Sequence, residues 1–136
     1  MGNCTYDSGY SMNQYCLDVA AVIDLNRSLI RQHFNVIDQS KLEGALAAPL
    51  RTWAGQYLYQ SPVERAAILL EQLTNAHAFL DGNKRTAWIC GAVYLEQCGF
   101  VLEDVADEEI VEFMIEVAEN TLGTEAIADW LIDHLA

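Results

Sequence analysis

The residues that could carry out chemistry are concentrated in one stretch, HAFLDGNKR at positions 77–85. Histidine accepts a proton readily near neutral pH, which suits His77 to act as a general base. Carboxylates together with substrate phosphates are the usual ligands of Mg²⁺, so Asp81 is a candidate metal ligand. Phe79 lies between them and is expected to point inward and hold the loop against the core. The stretch predicts transfer of a phosphorus centre to a hydroxyl group.

An anion site is predicted in the second half of this stretch, where a turn leads into a helix. The backbone N–H groups of residues 83–86 would be unpaired at the start of that helix, at the positive end of its dipole. Lys84 and Arg85 are the only two adjacent cations in a chain of formal net charge −13. Gly82 would let a phosphate approach the backbone closely, and Asn83 would hydrogen-bond either the loop or the anion. We therefore expect these residues to bind phosphate groups.

Each part of the stretch, taken alone, has an ordinary structural explanation. A histidine at a helix end is most often a capping or surface residue, Asp-Gly is usually only a turn, and a Lys-Arg pair is usually solvated. His33 and His134 receive that ordinary interpretation. The loop is different because six suitable residues follow one another in order at the mouth of a helix.

Helices are expected to position this stretch. The spacing of apolar residues, together with capping and turn residues, predicts helices over residues 12–34, 40–48, 62–76, 83–98, 107–120 and 124–135. The fourth is apolar nearly all round, which predicts the buried centre of a helical bundle. We expect one all-α domain over residues 11–136, after a poorly ordered N-terminal tail at residues 1–10. An alternating strand pattern is found only around WAGQYLYQ, residues 53–60.

Local capping signals indicate where several of these helices begin and end. Ser61 with Glu64 forms a capping-box pattern at the start of the third helix, and the same spacing predicts Ser40 as the N-cap of the second. Thr124 is expected to cap the sixth helix. Gly99 is expected to end the fourth in a left-handed conformation.

The acidic composition limits the partners that the chain can bind. A formal net charge of −13 disfavours direct binding to nucleic acid or to anionic membranes. No apolar run approaches the ~20 residues that a membrane-spanning helix needs, and the N-terminal sequence MGNCTYDSGYS lacks the pattern of a secretory signal. The cysteines show no metal-binding spacing and are expected to be free thiols. We expect a cytoplasmic protein that does not associate with membranes.

The stretch HAFLDGNKR resembles the core motif of the Fic/Doc family, in which the histidine is followed by a phenylalanine, an acidic residue, glycine, asparagine and a short basic continuation. Lys84 stands where Fic nucleotidyltransferases have a second glycine, and NKRTA is similar to the Doc branch, the death on curing toxins. Trp88 stands where Fic enzymes carry a further phosphate-binding arginine. The segments LEGALAAPL and AIADWLIDHL are also similar to Doc sequences, so the resemblance spans roughly residues 15–135.

The resemblance implies a Fic/Doc helical bundle and a reaction that uses ATP and Mg²⁺. His77 would act as base on a hydroxyl of a target protein, and Asp81 would bind Mg²⁺. Asn83, Lys84 and Arg85 would hold the nucleotide phosphates. Doc toxins transfer the γ-phosphate of ATP and are therefore protein kinases; their target is translation elongation factor Tu, so they inhibit translation. Their partner is an antitoxin of the Phd type, whose C-terminal segment folds against the toxin.

Two alternatives stay open. The first is a Fic-like nucleotidyltransferase that adds AMP to a protein hydroxyl, although Trp88 argues against it because a phosphate ligand of Fic enzymes is lost there. The second is a catalytically silent member of the family that acts as a binding partner.

The segment RTWAGQYLYQ, residues 51–60, corresponds by resemblance to the flap on the substrate side of the family. An extended target segment could be held there by backbone pairing. The candidate contact residues are Trp53, Gln56, Tyr57 and Tyr59. The three aromatic side chains among them would fit the core equally well.

Overall fold

The computed structural model describes residues 14–136 and consists mainly of helices. In chain order the elements are α1 (Val19–Ile30), α2 (Gln39–Ala47), a 3₁₀ turn (Ala48–Leu50), β1 (Thr52–Trp53), β2 (Gln56–Tyr57), α3 (Pro62–Ala76), α4 (Asn83–Gln97), α5 (Asp107–Ala118) and α6 (Thr124–Asp133). The all-α prediction is confirmed, and the two strands form a small hairpin where the sequence allowed one. The predicted N-terminal tail, residues 1–10, lies outside the described residues.

Helices α3 and α4 form the buried centre of the bundle. They run antiparallel, since Arg65 near the start of α3 contacts Tyr94 near the end of α4. They also pack closely, because a Cβ atom added to Gly91 would lie 2.9 Å from Cγ of Leu70. Helices α2 and α6 pack on α3, and α1 packs on α4. Helix α5 contacts both α3 and α4. The loop that joins α3 to α4 is the stretch predicted to carry the chemistry.

The capping box predicted at the start of α3 is confirmed. The hydroxyl of Ser61 accepts hydrogen bonds from the backbone N–H groups of Val63 and Glu64, and the Glu64 carboxylate accepts one from the N–H of Ser61. Pairing of this kind satisfies N–H groups that the first turn of a helix leaves unbonded. The start of α3 is therefore determined by local sequence.

Two other predicted caps are wrong. Helix α2 begins after Asp38, whose carboxylate accepts a hydrogen bond from the N–H of Lys41, so Ser40 lies inside the first turn. Helix α6 has Gly123 at its N-cap, and no described side chain caps it. The hydroxyl of Thr124 instead donates a 2.7 Å hydrogen bond to Glu71 on α3, which ties α6 to the centre of the bundle.

Helix α1 is shorter than the predicted helix over residues 12–34. It begins after Asp18, whose carboxylate caps the N–H of Ala21, and it ends at Arg31, which adopts a left-handed conformation with φ 58°. The four residues that follow Arg31 leave the helix and lead into a segment that pairs with the α3–α4 loop. Helix α4 ends close to the predicted residue, with Gly99 left-handed at φ 91°.

Within residues 14–136, no helix is both long enough and apolar enough to cross a lipid bilayer. The longest, α3 and α4, have 15 residues each.

Candidate active site

His77 ends α3 and begins the loop that leads to α4. It occupies the C-cap position in a left-handed conformation, with φ 50° and ψ 45°, and its side chain is exposed. A residue with a Cβ atom adopts this conformation at a cost of about 1 to 2 kcal/mol. The surrounding packing must therefore hold the turn that brings His77 to the surface.

The loop after His77 is held by a short extended segment that follows α1. Val36 and Phe79 form an isolated antiparallel bridge, flanked by a 2.8 Å hydrogen bond from the N–H of Leu80 to the carbonyl of Asn35. Phe79 is only 3% exposed and belongs to the main hydrophobic core. One side of the loop is thus fixed by pairing and the other by burial.

Asn83 closes the loop with its side-chain amide. Its Oδ1 atom accepts a 3.1 Å hydrogen bond from the N–H of Phe79, and its Nδ2 atom donates a 3.0 Å bond to the carbonyl of Phe79. Of the two bonding modes expected for Asn83, the structure contains the one to the loop. Its contact with an anion stays a prediction.

Gly82 links the loop to α4 and packs against α1. It is left-handed, with φ 72°, and an added Cβ atom would lie 2.8 Å from Cγ2 of Ile30 and 3.2 Å from Nδ2 of Asn26. The N–H of Gly82 donates a 2.7 Å hydrogen bond to the exposed carboxylate of Asp81. The backbone conformation and the closeness of α1 are therefore enough to require glycine here. Approach of a phosphate to Gly82 stays a prediction.

The start of α4 leaves fewer unpaired N–H groups than the sequence suggested. We expected the N–H groups of residues 83–86 to be unpaired. The N–H of Thr86 donates to the carbonyl of Gly82, so only those of residues 83–85 remain available. Within the described chain, no side chain caps this helix. Lys84 and Arg85, both exposed, follow directly in its first turn. Backbone N–H groups and two cations therefore lie together at the positive end of the helix dipole.

A cleft of about 470 Å³ opens between α4 and α5, beside the cation pair. It is lined by Lys84, Arg85, Trp88, Ile89, Asp107, Ile110, Val111 and Met114. The cations lie in the first turn of α4, and most of the remaining lining is apolar. Such a combination suits a ligand with an anionic part and a flat or apolar part.

A metal ion at this site would need ligands from a bound substrate as well as from the protein. Among residues 14–136, no group of three or more His, Cys, Asp or Glu side chains forms a metal site. The donor chemistry still fits Mg²⁺, which is commonly bound by one or two carboxylates together with substrate phosphates. The exposed carboxylate of Asp81 would be the protein ligand, and the neighbouring cation pair would hold the phosphates that supply further oxygen ligands.

Three buried polar side chains behind the loop escaped prediction. Asn26, Asn35 and Thr86 are at most 2% exposed, and they form a hydrogen-bonded chain from α1 to the start of α4. The available signal was that Asn26 interrupts the apolar stripe of the first helix, between Val22 and Ile30 at helical spacing. A buried amide on such a stripe needs partners, and here the loop provides one.

The predicted flap residues lie on the hairpin of β1 and β2 and in the residues just after it. Trp53 is 76% exposed and Gln56 is exposed, whereas Tyr57 and Tyr59 are half-buried. The core interpretation therefore does not apply to Trp53. The hairpin joins the N-terminal end of α3, while His77 lies at the other end.

Arg65 on α3 anchors this hairpin, and the sequence had not singled it out. Its side chain is 2% exposed and donates hydrogen bonds to the carbonyls of Tyr59 at 2.8 Å and Gln60 at 3.1 Å. It donates a third to the hydroxyl of Tyr94 at 2.9 Å and lies 4.9 Å from the ring centre of Tyr57. Burial raises the pKa of Tyr94, so this hydroxyl stays neutral. One guanidinium thus connects the hairpin to the centre of the bundle.

An aromatic stack lies behind the cleft. Trp88 contacts the rings of Phe113 and Trp130 edge to face, and Trp130 stacks on Phe113 and on His134. The pKa of His134 is raised, chiefly by the hydrogen bond from its Nδ1 to the carbonyl of Trp130, and also by the carboxylate of Glu109 at 2.9 Å from Nε2. His134 is the C-cap of α6, which agrees with its ordinary interpretation.

The cysteines with shifted thiols are poor candidates for catalysis. Burial raises the pKa of Cys90 to about 12 and also raises the pKa of Cys16. Both therefore remain neutral thiols near pH 7 and are unreactive as nucleophiles.

Comparison with known proteins agrees with the motif. The sequence profile of the Fic/DOC family matches residues 16–95, which include the whole α3–α4 loop. The chain is also similar to Toxin Doc of Mycolicibacterium smegmatis (strain ATCC 700084 / mc(2)155), with 31% identity over 125 residues, covering 92% of this chain and 90% of that protein.

Proposed function

This chain belongs to the Fic/Doc family, and on that basis we propose that it is a Doc-like toxin, a protein kinase that transfers the γ-phosphate of ATP to a hydroxyl group of a target protein. The observation that carries the proposal is the combination at the start of α4: a helix N-terminus that no side chain of residues 14–136 caps, the Lys84–Arg85 pair and the adjoining cleft of about 470 Å³. These features suit a nucleotide, because a triphosphate needs cations and N–H donors while a base needs a flat apolar surface.

His77 is proposed to act on the acceptor hydroxyl. It would take the proton as the hydroxyl oxygen forms a bond to the γ-phosphorus, while the bond from that phosphorus to its bridging oxygen breaks and ADP leaves. The exposure of His77 at the end of α3 supports this role, since a macromolecular acceptor must reach it. The left-handed turn and the pairing of Phe79 with Val36 would keep its backbone in place.

The remaining loop residues are proposed to bind MgATP. Lys84 and Arg85 would hold the phosphates with charge-assisted hydrogen bonds, next to the N–H groups of residues 83–85. Asp81 would hold Mg²⁺ together with the phosphates, and the ion would neutralise part of their charge. Asn83 would serve mainly by keeping the loop closed, as its two bonds to Phe79 suggest.

Phosphate transfer is preferred to AMP transfer because of position 88. The resemblance places a further phosphate-binding arginine there in Fic nucleotidyltransferases, and this chain has Trp88. Trp88 lines the cleft and packs against Phe113 and Trp130, so it provides apolar surface where a cation would otherwise be. AMP transfer and a silent binding protein remain the alternatives that an experiment must separate.

By the same resemblance, we propose elongation factor Tu as the target, inhibition of translation as the effect, and a Phd-type antitoxin as the partner. The name of the relative, Toxin Doc, supports the toxin assignment. The cytoplasm, where translation takes place, is the proposed location.

The proposal is tested by the mass of the target after reaction. The purified chain is incubated with MgATP and elongation factor Tu, and the intact mass of the factor is measured. Addition of one phosphate supports the kinase, addition of AMP replaces it with the nucleotidyltransferase, and an unchanged mass supports the silent binding member. His77→Ala should abolish the addition, and His33→Ala, which changes an exposed histidine outside the loop, should not.

A further inference from the structure

We propose that Asn26 on α1 is a positioning residue for the nucleotide-binding loop, and that MgATP affinity depends on the hydrogen bonds of its buried side chain. The proposal rests on the proposed function, because it assigns MgATP to this loop. Asn26 lies 55 positions before Asp81 in the chain and is 0% exposed. It cannot touch solvent or a ligand, so it would act on the site only through its contacts inside the protein.

The side-chain nitrogen of Asn26 bonds to both sides of Gly82. Nδ2 donates a 2.9 Å hydrogen bond to the carbonyl of Asp81 and a 3.0 Å bond to the hydroxyl of Thr86. Asp81 is the last residue of the loop before Gly82, and Thr86 is in the first turn of α4. One amide group therefore fixes the position of the loop relative to the N-terminus of α4. MgATP would contact both, so its binding would depend on that relative position.

Asn35 determines which way the amide of Asn26 points. Nδ2 of Asn35 donates to Oδ1 of Asn26 at 3.2 Å and to the carbonyl of Ile23 at 2.9 Å. A flipped Asn26 amide would place its oxygen against the carbonyl of Asp81 and its nitrogen against the nitrogen of Asn35. Both contacts would be repulsive, so the network permits one orientation.

Packing strengthens this restraint. Position 82 has no room for a side chain, because a Cβ atom there would approach Ile30 and Asn26. The loop consequently lies directly on α1, with the amide of Asn26 in the contact. Loss of the amide would leave the carbonyl of Asp81 and the hydroxyl of Thr86 without this donor. The loop would then sample more conformations, and binding of MgATP would have to order it.

Two substitutions test the network without opening a large cavity. Asn26→Leu replaces the amide with an apolar group of similar size. Thr86→Val removes only the hydroxyl that accepts from Asn26, and Thr86→Ser restores a hydroxyl. The matched control is Thr74→Val on α3, since the buried hydroxyl of Thr74 has no hydrogen-bond partner among the described residues. Thermal unfolding first establishes that each variant is folded.

MgATP affinity is measured by calorimetry, and amide hydrogen exchange is followed over residues 78–85. We expect about tenfold weaker binding for Thr86→Val, which loses one buried hydrogen bond, and a loss of at least that size for Asn26→Leu, which loses three. Exchange should become faster in residues 78–85 and stay unchanged in α6. Thr86→Ser should retain the parent values of both measurements, and so should Thr74→Val.

The two measurements separate the positioning role from the proposed function. Unchanged affinity in a nucleotide-binding parent would overturn the proposal, and so would exchange that stays at the parent rate in residues 78–85 of both variants. If the parent binds no MgATP, the proposed function fails and hydrogen exchange alone decides whether Asn26 positions the loop.

Discussion

Replacement of Arg65 by methionine should destabilise the protein and loosen the hairpin of β1 and β2. Methionine keeps an unbranched apolar stem but removes the donors to Tyr59, Gln60 and Tyr94. At about 1 to 1.5 kcal/mol for each net hydrogen bond, the three bonds amount to roughly 3 to 4.5 kcal/mol. Removal of a buried charge offsets part of this loss, so we expect the free energy of unfolding to fall by about 3 kcal/mol.

Arg65→Met should affect binding of the target protein and not binding of MgATP. Two of the lost bonds hold the backbone just after the hairpin, so amide exchange in residues 51–60 should accelerate. If the hairpin contacts the target, as the family resemblance implies, the KM for elongation factor Tu should also rise. The affinity for MgATP should change little. Arg65 and His77 are separated by ~18 Å along α3, from a rise of 1.5 Å per residue, and the cation pair lies in the first turn of α4, at the same end of the bundle as His77.

Tyr94→Phe is the matched control for this prediction. It removes the hydroxyl that accepts from Arg65 but leaves the two bonds to the backbone of Tyr59 and Gln60. It should therefore lower stability by about 1 kcal/mol without faster exchange in the hairpin. Chemical denaturation and hydrogen exchange measure both effects. If the hairpin of Arg65→Met exchanges at the same rate as that of the parent, Arg65 does not anchor the hairpin. If Arg65→Met also binds MgATP more weakly than the parent, Arg65 does not act separately from the nucleotide site.

Three further predictions concern single residues. His77→Ala should lower the transfer rate by ~10² to 10⁴ with MgATP affinity retained, because the proposed base acts on the acceptor; near-parent turnover in a kinetic assay would exclude that role. Lys84→Ala should weaken MgATP binding by about 1.5 to 3 kcal/mol in calorimetry and leave the thermal midpoint without nucleotide nearly unchanged, since its side chain is exposed. The raised pKa of His134 means that protonation stabilises the folded state; this contribution is complete below pH about 6.5 and is lost as the pH rises through the raised value. His134→Gln should remove that decline from a series of unfolding curves at increasing pH, and a decline that persists would assign it to another group.

Local sequence predicted the parts of the fold that are determined locally. The capping box at Ser61 and the left-handed Gly99 act within a few residues, and both are present. The start of α2 was missed because Asp38 and Ser40 are equally good caps in isolation. The N–H groups of Ile37 and Asp38 both donate to the carbonyl of Ala78, and this long-range contact places Asp38 at the cap.

In the candidate site, too, the features determined by local sequence were predicted and those determined by long-range contacts were not. The residues from His77 to Arg85 are contiguous, so their proximity follows from the chain itself. Asn26 reaches the loop from 55 positions away, and Arg65 reaches the hairpin only because α3 and α4 are packed as they are. The cleft requires α5 to lie beside α4. Contacts of these kinds depend on tertiary packing, which apolar periodicity in one sequence does not specify.

The positions of the tryptophans give the unlabelled protein two separate optical signals. Trp53 on the hairpin is solvated, so its fluorescence would shift when a target covers it. Trp88 and Trp130 have ring centroids 5.9 Å apart at an interplanar angle of 83°, close enough for their excited states to couple and to produce a paired band in ultraviolet circular dichroism. Because Trp88 lines the cleft, a nucleotide there would alter the paired band while the emission of Trp53 stays as it is. These two signals would therefore distinguish binding of the proposed nucleotide from binding of the proposed target protein.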